Sequence, residues 1–468
     1  MSLWSEWWSC VRQLRGACSR QATFLWLALV LAALTIRSDR AGVTSLVRAL
    51  ALPARHYRGL LHLFHSSALD LERLTTHWLQ LVLRRFTPLR VGPYLVCLAD
   101  GLKPPQEGRK MPAVRSLHQA AGNNSKPAFI MGHSLQALSL LVRNPAGRVT
   151  AIPLIARIHE GLVFSNRDRR TLLDKLVLMF LGLARDIPAP VIVVADAYYA
   201  SAKVIRPLLD AGHQRVTRAR VNAVAYWPAQ RPSNPRRGRP RLYGDKIALR
   251  QLAQEHADFV TAPSPVYGET GVQLAYRCVD LLWRPVGHLV RFVIVRHPQR
   301  GVIFLLATDT TLDPLDIITL YAYRFKIEVG FKQAVHTVGS YGYHCWMMDL
   351  QPIRRRTGSQ HLHHRSDDYR RLVRRKLLAY HRFVQLGCIA QGLLQYLALH
   401  HGPTVWRRCN SWLRTMDPLQ PPSELVVALA LRATWPAFLA RSGAQHELTK
   451  FLARLSGRIK RAAGHASA

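Results

Sequence analysis

The chain has 468 residues, with 65 Lys and Arg against 27 Asp and Glu, a formal net charge of +38. Its 49% hydrophobic content can bury large cores, which excludes wholesale disorder. So basic a chain repels itself when compact, which points to a polyanionic partner, nucleic acid first and an acidic membrane surface second. Residues 1–88 read as helical: apolar spacing recurs through 24–36, 43–52, 57–64 and 69–83, with Pro53 as punctuation. The pattern suits either a DNA-binding helix-turn-helix or a packing bundle and does not choose between them. The most lipid-like run, 24–36, lies between Arg20 and Arg37 and falls short of the roughly 20 residues a bilayer demands. No small-residue cleavage site follows it, so a buried helix is expected there and no membrane association.

From residue 89 the pattern changes. Residues 94–99 form a short apolar run that ends at Asp100, and 128–141 and 148–158 are strand-like around the turn Asn144-Pro145-Ala146-Gly147. Residues 168–185 have helical periodicity, and 190–195 is a continuous apolar run ending at Asp196, as in a strand buried on both faces. A short helix at 201–212, closed by Gly212, and a strand at 214–226 complete a mixed sheet with flanking helices, an α/β class. Residues 228–308 read as a cationic loop followed by a β-rich insertion, with a turn at 298–301. One long helix is expected over 315–338 within a segment 309–345. The remainder, 346–468, is a polar basic stretch to 376 and helix from 377 to 455. The seven cysteines are scattered without any C-x-x-C pair, which suits a reducing cytoplasm better than a disulfide scaffold.

Acids are scarce, so their positions carry information. Asp100 and Asp196 each end an apolar strand, and neighbouring parallel strands bring such residues together at one sheet edge. On the long helix, with Tyr321 at zero, Arg324, Glu328 and Lys332 fall at about 300°, 340° and 20°. Leu320, Ile327, Phe331 and Ala334 make an adjoining apolar seam able to pack on a sheet. A glutamate among cations at the margin of a buried face suits a site for phosphate and divalent metal together. Three converging carboxylates would offer hard oxygen ligands to Mg²⁺ or Mn²⁺, and a bound cation would relieve their mutual repulsion. Taken singly, a strand-end Asp is an ordinary cap or turn residue.

Leu98-Ala99-Asp100-Gly101, Ala195-Asp196-Ala197-Tyr198-Tyr199 and Tyr321-x2-Arg324-x3-Glu328 together resemble the acidic triad of the DDE transposases. The similar group is the bacterial insertion-sequence enzymes with a Tyr–Arg–Glu–Lys signature. The resemblance covers roughly 90–345. It implies a ribonuclease-H-like core interrupted by a β-rich insertion before the glutamate helix. It also implies catalysis at Asp100, Asp196 and Glu328 with two Mg²⁺ or Mn²⁺ ions, and cut-and-paste chemistry on transposon-end and target DNA by a homodimeric synaptic complex. Tyr321, Arg324 and Lys332 would then grip DNA. The pattern departs at one point: the signature lysine, seven residues past the glutamate, is Val335 here, with Lys332 and His336 each within a turn. The alternatives are a related metal-dependent nuclease without strand transfer, or a catalytically degenerate DNA-binding relic.

Arg237 and Arg239, around Gly238, make either a minor-groove hook or a plain solvated cationic loop. Trp227 and Trp283 either stack on an extruded base or pack. The basic runs at 354–356 and 370–375 suit DNA-backbone contact. No small-molecule chemistry emerges. Gly132-His133-Ser134-Leu135-Gln136 lacks the last glycine of a nucleophile elbow, and His159-Glu160 lacks the second histidine of a zinc-protease helix. Gly122-Asn123-Asn124-Ser125-Lys126 is no P-loop, and His361, His363 and His364 suit a solvated loop better than a metal site.

Overall fold

The run that ends at Asp100 is the strand Tyr94–Leu102, with Leu95 to Ala99 buried. Alternation is absent because both faces are covered, which is why the stretch reads as unbroken hydrophobicity. The computed structural model describes residues 2–119, 127–230, 241–255, 258–409, 417–441 and 446–456. The chain divides into two compact units, one of residues 88–100 and 170–328, the other of 1–87, 101–169 and 329–468.

In the first of these, strands Tyr94–Leu102, Val191–Ala195 and Gln214–Arg218 run parallel, side by side. Beyond them Gly301–Ala307, Leu289–His297 and Gln273–Leu282 continue the sheet antiparallel. Parallel neighbours need crossovers, and helices supply them. Leu172–Ala184 opens with a capping box between Thr171 and Asp174, and Ala202–Asp210 opens on a Ser201 cap and is followed by Gly212 at φ 79°. Pro314–Tyr323 starts from the Asp313 cap with proline in its first turn and packs on the strands. This is the mixed sheet with flanking helices of a ribonuclease-H-like fold. Phe292, Ile294, Phe304 and Leu306 of the sheet share a core with Leu249, Leu252 and Trp283 and with Ile205 of the helix Ala202–Asp210.

Local differences from the sequence reading have physical causes. The stretch 214–226 is two strands, Gln214–Arg218 and Val224–Pro228, because a turn closed by Ala223 N–H on the Arg220 carbonyl (2.9 Å) intervenes. The helix expected at 315–338 is interrupted at Arg324, whose N–H bonds back to Tyr321 (3.1 Å), a tightened i→i+3 turn. Its second part, Phe325–Gln333, ends in a π turn, Ala334–Val338, closed by Gly339 at φ 72°. Of the expected seam, Leu320, Ile327 and Ala334 are buried and Phe331 is half-buried.

The other unit is mainly helical. Gln21–Ile36 is buried from Leu27 to Ile36 on every face, so the lipid-like run is a core helix. Among the described residues no helix is long and apolar enough to cross a membrane. The longest helix, Asp367–His400, begins ten residues before the expected 377, inside the basic stretch; Ser366 caps it and Asp367 and Asp368 favour its first turn. It packs on Gln21–Ile36, Tyr57–His65, Leu71–Arg85 and the strand Val149–Ile158 of the hairpin with Leu135–Arg143. Arg37, almost wholly buried, donates to the Val338 carbonyl through Nε (2.9 Å) and to the Gly339 carbonyl (2.9 Å). A cation at those last carbonyls both satisfies them and opposes the helix dipole.

Candidate active site

Register brings the first two acids level. Leu98 pairs with Val194 in parallel, so extending that register by two residues brings Asp100, near the end of its strand, level with Asp196, just past the end of the neighbouring one. The next strand continues the alignment: Ala195 pairs with Thr217, whose hydroxyl donates to the Asp196 carbonyl (2.8 Å). The Asp196 carboxylate also accepts the Tyr198 N–H (3.0 Å) and caps the short turn Ala197–Tyr199. Cap and candidate acid are thus the same residue.

Arg324 joins the third acid to the first. Its Nη1 is 3.0 Å from an Asp100 carboxylate oxygen and its Nη2 is 2.7 Å from Glu328, one turn along the helix. The Tyr321 ring lies beneath, 6.0 Å from the guanidinium. Burial opposes the charge on Arg324, but Asp100, Glu328 and Tyr321 outweigh it and hold the guanidinium above its ordinary pKa. Burial also raises the Tyr321 phenol. Lys332 is exposed one turn past Glu328, Val335 is half-buried and His336 is exposed.

The residue that sequence reasoning missed is Arg215. It lies wholly buried in Gln214–Arg218, beside Val193 of the Asp196 strand, and its Nη1 donates to the Val193 carbonyl (3.3 Å). Its Nε and Nη2 have no hydrogen-bond partner among the described residues. Burial pulls its pKa down to about 10, resisted by the charges of Tyr199, Asp196, Tyr321 and Asp100. A second cation is therefore held within the field of both strand-end acids. Nothing in the sequence separated this arginine from the many others.

Beside Tyr321 and Arg324 opens a cleft of about 450 Å³, lined by Tyr267, Leu274, His297, Ile303 and Phe325 among others. The Tyr267 ring stacks on Tyr323 (5.8 Å, 16°) and carries the Lys326 ammonium 4.0 Å from its centre. Trp283 is buried in the core with Phe292 and Leu306, whereas Trp227 is 39% exposed. Arg237 and Arg239 lie outside the described residues.

The donor set is right in kind for a hard divalent cation, three carboxylates and no sulfur. As arranged, however, Asp100 and Glu328 close on Arg324, and among the described residues no group of three His, Cys, Asp or Glu is gathered to hold a metal ion. The arrangement stores two cations against three acids at a sheet edge, chemistry suited to a phosphate that can take a guanidinium over.

No curated protein matches the chain. The family model described as DDE superfamily endonuclease matches residues 13–281, more than half of the length, and takes in both strand-end acids. With that match, the chain belongs to the DDE superfamily endonuclease family.

Proposed function

We propose that this endonuclease is a cut-and-paste transposase with Asp100, Asp196 and Glu328 as its catalytic acids. The observation that carries the reading is the parallel register ending at Leu98 and Val194, which sets Asp100 and Asp196 level two residues on, with Arg324 tying Asp100 to Glu328. The three acids would hold divalent ions, two per site, which when bound activate the attacking oxygen and stabilise the leaving one.

The protein's own part is positioning and charge. Arg324 must let go of Asp100 and Glu328 before either can serve a cation, and a DNA phosphate is the partner that suits its fork. Tyr321 beneath it and Lys332 beyond would steady the same strand. Arg215 acts as a positioning residue, a fixed countercharge behind the acids. In the first step water oxygen attacks the phosphorus at the element's end and the P–O3′ bond breaks, leaving a 3′-hydroxyl. In the second, that hydroxyl attacks a target phosphodiester and displaces its 3′-oxygen, so one bond forms for each that breaks. Cutting two ends in concert calls for two chains, hence a homodimer on DNA, working in the cytoplasm at the nucleoid.

The test is Mg²⁺-dependent cleavage of duplexes carrying the element's ends, followed by strand transfer from pre-cleaved ends. Asp196→Ala should lower cleavage by roughly 10³-fold or more, as loss of a core catalytic group does, with DNA binding retained. Cleavage without a joined product would make the protein a nuclease only. Binding without cleavage in the unaltered protein would make it the relic that Val335 favours as a second reading.

A further inference from the structure

In the mainly helical unit, Tyr57–His65 and Asp367–His400 border an open cleft of about 490 Å³. Arg58, His62 and His65 line it from the first helix and Arg375 and Lys376 from the second, with Met348 at its rim. Asp349 is the only carboxylate in the lining, and no ion pair to Arg58, Arg375 or Lys376 occurs among the described residues. The contrast lies on the same helix. Arg370 and Arg371, a turn earlier, are each paired with an acid of the first turn, Asp367 and Asp368. The basic run therefore contains tied and untied cations, and only the untied ones meet across this cleft.

Bringing like charges together without a counterion costs free energy, so such a cluster is built to be neutralised from outside. His65 reports the field: burial and then Lys376, Arg375, Arg382 and His62 push its pKa down to about 4. We infer that this cleft is a second DNA-backbone site of the protein, made by Arg58, Arg375 and Lys376 and distinct in its residues from the acids and their arginines. Arg58 and Arg375 are exposed and Lys376 is half-buried, so all three can meet a strand laid along the cleft, and membership of a DNA-cutting family favours a sugar–phosphate strand over a lipid surface. The exposed Met348, 67% accessible, gives the sugar face an apolar contact.

The inference rests on the DNA reading above, and its test is kept separate from catalysis. Full-length protein is titrated in EDTA against a fluorescent duplex that lacks the element's ends, over a range of NaCl. Each lost phosphate contact reduces the slope of log K against log salt by about 0.9, so R58Q/R375Q/K376Q should flatten it by about two to three. Affinity near 0.1 M salt should fall on the order of 10- to 100-fold. The charge-conserving R58K/R375K should keep the slope, and an unaltered thermal midpoint shows the fold intact. An unchanged slope overturns the inference. So does a loss confined to anionic phosphatidylserine vesicles with DNA binding untouched. If the slope flattens while the unaltered protein never cleaves DNA, the catalytic proposal fails alone and the cleft stands.

Discussion

Arg324 is the residue on which the geometry turns, because a single planar fork serves two acids at once. A lysine can supply the charge but not two divergent donors. Arg324→Lys should therefore keep most of the DNA affinity while end cleavage drops by roughly 10- to 100-fold, read as kcat against KM. Cleavage by Arg324→Lys at the unaltered level, with loss only in Arg324→Ala, would mean that charge alone suffices and the fork is irrelevant. Arg215 makes the opposite kind of prediction. A buried guanidinium with two unpartnered nitrogens is costly to the fold, because burial penalises both its charge and its unmet donors. Arg215→Met should leave the urea midpoint unchanged or higher and yet reduce cleavage by roughly 10-fold or more. Cleavage at the unaltered level would reduce Arg215 to a core residue.

At the scale of elements, how much was legible depended on whether a signal was local. The strands before Asp100 and Asp196 were visible because burial on both faces leaves an unbroken apolar run. The Tyr321–Glu328 spacing was visible because a helix repeats. The break at Arg324 was not, since a single tightened turn leaves the apolar seam in phase on both sides. Nor was Arg215, whose meaning depends on the strand beside it. The early start of Asp367–His400 was hidden by composition: arginines that look solvated are the exposed face of a helix whose other face is core. That helix also illustrates how packing overrides propensity. Gly392 lies within it, and alanine there would by propensity alone gain about 1 kcal/mol. A Cβ at Gly392, however, would clash with the Trp78 ring, and Trp78 is buried with its indole N–H on the Pro153 carbonyl (2.8 Å). Overpacking of this kind costs about 1–3 kcal/mol, so Gly392→Ala should lower the unfolding free energy on balance. Denaturant unfolding checks the sign; a gain would mean that Trp78 moves freely.

For the whole molecule, charge and buried histidines act in the same direction as pH falls. His133 is fully buried, its Nε2–H donating to the Pro112 carbonyl (3.0 Å), and burial drives its pKa down to about 4. His381 accepts the Ile158 N–H (3.1 Å) on its Nε2, and burial, then Arg157, His159 and His133, hold its pKa well below the ordinary value. In both cases the unfolded chain binds the proton more readily than the folded one. Their contribution is thus fully present above about pH 6.5 and is lost as pH falls below it, for His133 toward about 4. For His133 the loss is on the order of 3 kcal/mol across that window. Over the same interval the protonation of exposed histidines among the 21 in the chain adds to a net charge already at +38. Salt distinguishes the two effects, because ions screen repulsion between exposed charges and barely reach a buried imidazole. The unfolding midpoint should fall from pH 7.5 to pH 5. Added NaCl should restore only part of the fall, and His133→Gln should shrink the part that salt leaves. A pH effect abolished by salt alone would assign it all to surface repulsion and remove the buried histidines from the account.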